Sequence, residues 1–522
     1  MRQVSILVHT CSNATVVNLL ELTVQDVVRV ARDGDSLEID PVTASKVAAG
    51  HDTVRRLAAS DTPAYGISTG FGALAVVSIP VEQRANLQVS LIRSHAASTG
   101  PLVDQEIVRA MMLLRLKTLA SGLTGVRPVV VDTLAAMLNA GIVPAVRTYG
   151  SLGCSGDLAP LAHVALASMG EGWVHGPEGL RDAGEALREA HIEPLVLQEK
   201  EGLALINGTD GMLGMLAMAV VDLGALLRLS EVAAAMTVEA LLGTDRVFAA
   251  DLMSLRPQTG QQASAANLRA LLAGSPIMAS HRHDKDHIVQ DAYSLRCAPQ
   301  VAGAARDTVA YAQSVAVCEL AAVVDNPVVL PDGRVESNGN FHGAPVAYVL
   351  DFLAIAAADV ASISERRTDR LLDRTRSHGL PPFLAAEAGV DSGYMIAQYA
   401  AAGIVSTLKR LANPASVDSI PSSAMQEDHV SMGWSAGLKL REAIDGLRRV
   451  VAIEILVAAR ALDLRAPLEP AAGTAAAREA VRSRVAGPGH DRFVSEEIEA
   501  VVALAADGSI LSAVEAAIGA LE

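Results

Sequence analysis

The sequence predicts a mainly α-helical protein, with an N-terminal globular domain over 1–205 and a bundle of long helices over 206–522. Three observations predict it. Hydrophobic residues make up 51% of the 522-residue chain but aromatics only 3%, so much of the apolar content is Ala, with Leu and Val. Alanine is the best helix former and packs backbones closely, whereas a β-sandwich draws on aromatic and β-branched strands. From about Asn207 onward, long Ala/Leu/Val stretches carry polar residues at irregular helical spacing. Upstream of that change stand two glycine-rich segments, at 65–72 and 150–156.

Each element has a local reason. Thr23-Val-Gln-Asp26 opens a helix that ends at Gly34, with an N-cap hydroxyl, an acid in the first turn and a C-terminal glycine. Residues 36–40 read as a short strand, 82–98 and 104–121 as helices, and 173–179 as a hairpin or loop. The long helices are expected at 222–242, 302–324, 346–372, 396–411 and 439–462. Several are apolar nearly all round, which implies burial on most sides in a large bundle, an oligomer, or both. Proline and glycine mark loops at 466–473 and 487–490. Ser495 is expected to cap a last helix ending near Gly508.

The charge is −16, from 42 basic and 58 acidic residues. Phosphate contacts need a basic face, so nucleic acid and anionic membrane surfaces are excluded as partners. Cys11, Cys154, Cys297 and Cys318 form no zinc-type pair, and four cysteines in a long chain do not make a disulfide framework, so a cytoplasmic location is expected. His9 and the polar residues 10–13 break the first apolar stretch too early for a signal peptide. Asp222 and Arg228 interrupt the apolar run at 212–227, and Asp351 and Asp359 that at 346–360, so no clean membrane span is expected.

The chemistry concentrates in Gly150-Ser-Leu-Gly-Cys-Ser-Gly-Asp-Leu-Ala-Pro-Leu-Ala-His163. Its glycines alone suggest a tight turn before a helix. The string lacks the glycine order of a dinucleotide fingerprint and the terminal Gly-Lys-Ser/Thr of a phosphate loop. As a whole it resembles the signature of the aromatic amino-acid ammonia-lyases and aminomutases. In that family an internal Xaa-Ser-Gly cyclises to 4-methylideneimidazol-5-one (MIO). The resemblance makes Cys154-Ser155-Gly156 the tripeptide, where the family most often has Ala first. Gly156 lacks a side chain, so its nitrogen can approach the Cys154 carbonyl. Ser155 can lose its hydroxyl as water, and Asp157 can assist by hydrogen bonding or proton transfer. The β-proton of an amino acid is barely acidic, and a built-in electrophile meets that deficit.

The resemblance covers most of the chain. Tyr65-Gly-Ile-Ser-Thr-Gly-Phe-Gly72 is similar to the family's mobile loop and implies Tyr65 as general base for the β-proton. Glu201-Gly-Leu-Ala-Leu-Ile-Asn-Gly-Thr209 implies that Asn207 donates to the prosthetic carbonyl. Asp210 stands where the family commonly has Gln. The segment 289–300 implies Arg296 as a clamp on the substrate carboxylate, Tyr293 as an aid to proton transfer and Gln290 as a lining residue. Asp325-Asn-Pro327 and Gly339-Asn-Phe-His-Gly343 imply Asn326 as a carboxylate neighbour and Phe341 as a ring contact.

Two positions bear on the substrate ring. His95 stands where histidine and tyrosine lyases carry His. Glu427 stands at the ring end, where phenylalanine and tyrosine lyases tend to have an amide. A carboxylate pairs with an imidazole N–H and is poorly matched to phenyl, so L-histidine is the expected substrate, giving trans-urocanate and ammonia. Pro414-Ala-Ser-Val-Asp-Ser-Ile-Pro421 supports the same branch. A tyrosine lyase or aromatic aminomutase on the same scaffold is the alternative, and a non-catalytic helical scaffold with an unmodified tripeptide a remote one. The Gly-Ser-Ser-x-Met-Pro loop of the fumarase/aspartase class is absent; Ser422-Ser-Ala-Met425 only echoes it.

No metal is expected: charges around His281, His283 and His287 favour an exposed loop. Met212, Met215 and Met218 read as core, and His163 and His342 as residues that shape their segments. The resemblance implies a homotetramer with sites shared between subunits, an amino acid as the small-molecule substrate, and no diffusible cofactor.

Overall fold

The computed structural model describes residues 17–59, 66, 68–70, 72–74, 76–153, 156–282 and 289–522. Cys11 and the rest of 1–16, Tyr65, Cys154, Ser155, His283 and His287 lie outside the described residues. The architecture is mainly α, with long helices at Asp210–Ala240, Ala298–Ala321, Ala344–Leu372 and Gly433–Asp463. The described strands form three two-stranded antiparallel pairs.

The chain divides into two compact units. The first comprises 1–218, 315–348 and 415–437; the second comprises 219–314, 349–414 and 438–522. The 1–205 segment thus falls in the first unit, together with three stretches from later in the chain.

In the first unit, the helix Gln105–Ala120 is buried from Met111 to Ala120 without a break. Arg115 and Lys117 sit inside that run, so their charges must be met by internal acceptors. The Thr23 hydroxyl accepts from Asp26 N while the Asp26 carboxylate accepts from Thr23 N, closing a reciprocal cap. Gly34 ends that helical stretch at φ 81°, a left-handed cap. The helix expected at 82–98 is Arg84–His95, and the hairpin at 173–179 pairs Trp173–Gly176 with Gly179–Asp182.

The strand expected at 36–40 does not form. Leu37 makes one isolated bridge to Val17, and its N–H and C=O are taken by the Asn139 carboxamide at 2.8 and 2.9 Å. A side-chain amide there replaces a ladder.

In the second unit the helices are tied by buried charges. Glu454 and Arg367 are 0% and 2% exposed. Glu454 Oε1 accepts from Arg367 Nε at 2.5 Å and Thr237 Oγ1 at 2.8 Å. Its Oε2 accepts from Arg367 Nη2 at 2.8 Å and Ser364 Oγ at 2.6 Å. One carboxylate therefore fastens three long helices. Two of the acids that interrupt the apolar runs are also paired: Asp222 with Arg441 at 3.4 Å, and Asp351 with Lys439. Two helical spans, Glu201–Ala240 and Ala344–Leu372, are long and apolar enough to cross a membrane, but 72% and 61% of their most apolar windows are buried within the fold.

The C-terminus differs from expectation. Phe493, not Ser495, is the N-cap of Val494–Ala506, and the first turn carries Glu496 and Glu497 against the positive helix end. Gly508, at φ 77°, leads into a further helix, Ser509–Ile518.

Removing one side of a satisfied buried ion pair strands the other charge. Glu454→Ala is therefore expected to destabilise by about 3–5 kcal/mol, read as a fall in apparent melting temperature and denaturant midpoint. A loss under about 1 kcal/mol, the range of exposed pairs, would refute the burial of this network.

Candidate active site

A cavity of about 640 Å³ opens in the first unit. His95, Asn207, Asn326 and Glu427 line it, together with Gly70 and Gly72 of the glycine-rich loop. Leu91, Leu158, Leu203 and Ile206 supply apolar wall. A mostly apolar concavity with a few converging polar groups is the form of a small-molecule site.

His95 ends the helix Arg84–His95. Its Nδ1 lies 2.9 Å from Leu91 O, which can only accept, so Nδ1 carries the proton. Burial lowers the imidazole pKa; the Leu91 carbonyl and the Glu427 carboxylate pull it back up, and the net shift is down. The ring is neutral at neutral pH, with Nε2 left as an acceptor.

Glu427 closes a tight turn. Ser422 N donates to Glu427 O at 3.0 Å, Glu427 N donates to Ser422 O at 3.3 Å, and Ser422 Oγ donates to Glu427 Oε2 at 2.8 Å. Between them Ser423, Ala424 and Met425 have φ of 51°, 52° and 70°. Three non-glycine residues in the left-handed region store strain, which gathers at functional sites.

Asn207 follows the buried helix Glu201–Ile206. Its Nδ2 donates to Asn326 O at 2.8 Å, while its buried Oδ1 has no hydrogen-bond partner among the described residues. Asn326 Oδ1 accepts from Ser337 Oγ at 2.9 Å and Asn338 N at 3.0 Å. Lys200 Nζ and Asp325 Oδ2 pair at 2.5 Å with both side chains 0% exposed.

Gly156 and Asp157 stand against the segment that follows Asn207. Gly156 has φ 80°, and a Cβ there would overlap the Gly208 carbonyl. Only glycine fits. Asp157 N donates to Gly208 O at 2.7 Å. The Asp157 carboxylate accepts from Ser151 Oγ at 2.9 Å, Gly211 N at 2.9 Å and Met212 N at 3.0 Å. The last two belong to the first turn of Asp210–Ala240, where the helix dipole favours an anion. Burial nevertheless pushes the carboxyl up to about 7, outweighing these hydrogen bonds, and nearby Asp210 adds to the rise.

The other predicted residues lie elsewhere. Phe341 is half-buried in the first unit and is not among the described lining. Gln290, Tyr293 and Arg296 belong to the second unit. Tyr293 is 71% exposed, and the Arg296 guanidinium carbon lies 4.7 Å from its ring centroid. His163 Nε2 accepts from Ser98 N at 3.2 Å, and His342 stacks on His429 with 5.7 Å between centroids. Sequence reasoning missed Arg115, Lys200, Ser422 and Asn338. For Arg115 a signal existed: a basic residue inside the apolar run Ala110-Met-Met-Leu-Leu-Arg-Leu116.

Residues 22–483 match the aromatic amino acid lyase family. The histidine ammonia-lyase of Streptomyces avermitilis is 61% identical over 511 residues, covering 98% of this chain and 100% of that protein. The crystal structure of tyrosine aminomutase from Streptomyces globisporus superposes with a TM-score of 0.92 at 35% identity, covering 97% of this chain and 99% of that one. That of histidine ammonia-lyase from Trypanosoma cruzi gives 0.88 at 38% identity, covering 96% and 95%.

The Asp157 carboxyl titrates near 7 when folded and near about 4 when unfolded. Between those values the folded chain holds one more proton, so this group's contribution to stability is full below about pH 4 and declines as pH rises towards 7. Asp157→Asn removes that decline. The melting temperature of the wild type relative to the variant is expected to fall from pH 5 to pH 7.5; a constant difference would mean that the carboxyl is ionised throughout.

Proposed function

The chain belongs to the aromatic amino acid lyase family, and we propose that it is a carbon–nitrogen lyase that eliminates ammonia from L-histidine to give trans-urocanate. The observation that carries the substrate is Glu427 facing the same cavity as a neutral His95 and Asn207. A carboxylate held by Ser422 offers an acceptor to an imidazole N–H, and a phenyl ring offers no donor to match it. The identity with the Streptomyces avermitilis histidine ammonia-lyase supports the same reading.

The electrophile of this reading is the methylideneimidazolone formed from Cys154, Ser155 and Gly156. The residues around the tripeptide fit it: Gly156 is already left-handed against Gly208, and the Asn207 carboxamide keeps an unpartnered buried oxygen and a second N–H. When formed, the group supplies the electron-poor centre that amino-acid side chains lack. Asn207 would hold its carbonyl side. Asp157 retains a proton up to about pH 7 and would assist ring closure by hydrogen bonding or proton transfer.

The remaining roles follow the sequence. Tyr65 takes the β-proton once ionised, Arg296 holds the substrate carboxylate with Asn326 beside it, Gln290 and Tyr293 line the site, and Phe341 contacts the ring. A homotetramer with sites shared between subunits accounts for Tyr293, exposed under the Arg296 guanidinium. The enzyme is cytoplasmic and needs no diffusible cofactor.

The test is ultraviolet absorbance of the protein incubated separately with L-histidine, L-tyrosine and L-phenylalanine, since a conjugated acrylate absorbs where the amino acid does not. A rise with histidine alone is expected. A rise with tyrosine instead would favour the tyrosine branch of the family. In Glu427→Gln, kcat/KM for histidine should fall about 10- to 100-fold, the worth of one charge-assisted hydrogen bond. An unchanged value would remove Glu427 from the ring pocket.

A further inference from the structure

We propose that Arg115 is a positioning residue for this reaction: its buried guanidinium sets the spacing of the Asn207 and Asn326 segments and so aims the Asn207 carboxamide. The inference rests on the lyase reading above and adds how Asn207 is held.

The Arg115 side chain is 0% exposed. Its Nη1 donates to Asn207 O at 2.6 Å and its Nη2 to Val324 O at 2.9 Å. Both nitrogens lie on one rigid plane, so the two carbonyls are held at a fixed separation. Asn207 Nδ2 reaches back to Asn326 O at 2.8 Å and closes the loop of contacts.

Packing carries the constraint on to the tripeptide. A Cβ on Gly208 would overlap Asp210 Oδ2 and crowd Arg115 Nη1 to 2.5 Å, while a Cβ on Gly156 would overlap Gly208 itself. The Gly208 peptide is therefore pressed between the guanidinium and the third residue of the tripeptide.

Stability alone does not explain the arrangement. Among the described residues Arg115 Nε has no hydrogen-bond partner, and Asp210 Oδ2, 3.6 Å away, has none either. Burying a guanidinium with this carboxylate out of hydrogen-bond reach is costly. A satisfied apolar core would avoid that cost. What the fork adds is a fixed distance between two segments whose amides line the cavity. Lysine is a single point charge and cannot hold both carbonyls on one plane.

The test is a double-mutant cycle of Arg115→Lys with Asn207→Ala, read by intact mass, near-ultraviolet difference spectrum, and kcat and KM on whichever amino acid the wild type turns over. All chains are expected to show loss of two waters. Arg115→Lys should shift the near-ultraviolet band in the same direction as Asn207→Ala. It should lower kcat about 10- to 100-fold with KM changed less than about threefold, as a misaligned group does. In the Asn207→Ala background it should cost less than about twofold more. An unmoved band, an undiminished cost in that background, or an Arg115→Lys chain that fails to lose the waters would overturn the inference and leave the lyase reading standing. An unmodified wild-type mass would overturn both. If Arg115→Lys does not fold, the near-isosteric Asp210→Asn carries the test: a smaller shift in the same direction is expected, and no shift refutes the proposal.

Discussion

The site is organised around one buried carboxylate. Asp157 accepts from Ser151 and from two N–H groups of the first turn of Asp210–Ala240, and its own N–H donates to Gly208 O. Four bonds from one residue fix the end of the tripeptide segment against the entrance of a long helix. The helix dipole favours the anion, and burial opposes it. The balance leaves the carboxyl near neutrality at about 7. A residue that is charged and uncharged in comparable measure at cellular pH can hold the fold and also exchange a proton. A fully ionised cap could hold the fold but would have no proton to give.

Buried charge is handled differently in two clusters, one in each unit. In the second, Glu454 accepts four hydrogen bonds, two of them from Arg367, so the pair is close to saturated. In the first, Arg115 Nε, Asp210 Oδ2 and Asn207 Oδ1 are all buried without partners among the described residues, and all three belong to one cluster. Unsatisfied buried polar groups are rare in native proteins and each calls for a reason. These three lie together beside Asn207, which lines the cavity.

Much of the fold was legible because it is written locally. The Thr23–Asp26 cap, the left-handed Gly34 and the long Ala-rich helices need only neighbours in sequence. The failures are tertiary. Residues 36–40 look extended, but whether a strand forms depends on a partner, and Asn139 takes that place from 102 positions away. Ser495 has the chemistry of a cap, yet the chain turns at Phe493. At the site, His95, Asn207, Asn326 and Glu427 were found through their motifs and share one cavity. Arg115, Ser422 and Asn338 were not, because they act through backbone carbonyls and hydroxyl contacts that no motif encodes. The two-unit division was also hidden, since it interleaves stretches that are distant in sequence.

The turn that presents Glu427 shows how specificity and strain are linked. Ser423, Ala424 and Met425 hold a left-handed course without a glycine among them, at a cost of roughly 1–2 kcal/mol per residue. Glycine would relieve that cost and free the turn. Freedom there would let the carboxylate leave the position from which it faces the cavity. The Ser422–Glu427 hydrogen bonds close the turn and hold it. The turn also faces the glycine-rich loop: a Cβ on Gly72 would lie 2.7 Å from Ser423 Oγ. Gly72 is therefore required by this contact as well as by its own φ of 52°. A side chain at 72 would push the turn that carries Glu427. The loop expected to bring the general base and the turn expected to read the substrate ring thus share a wall, and a change in either alters the space left for the other.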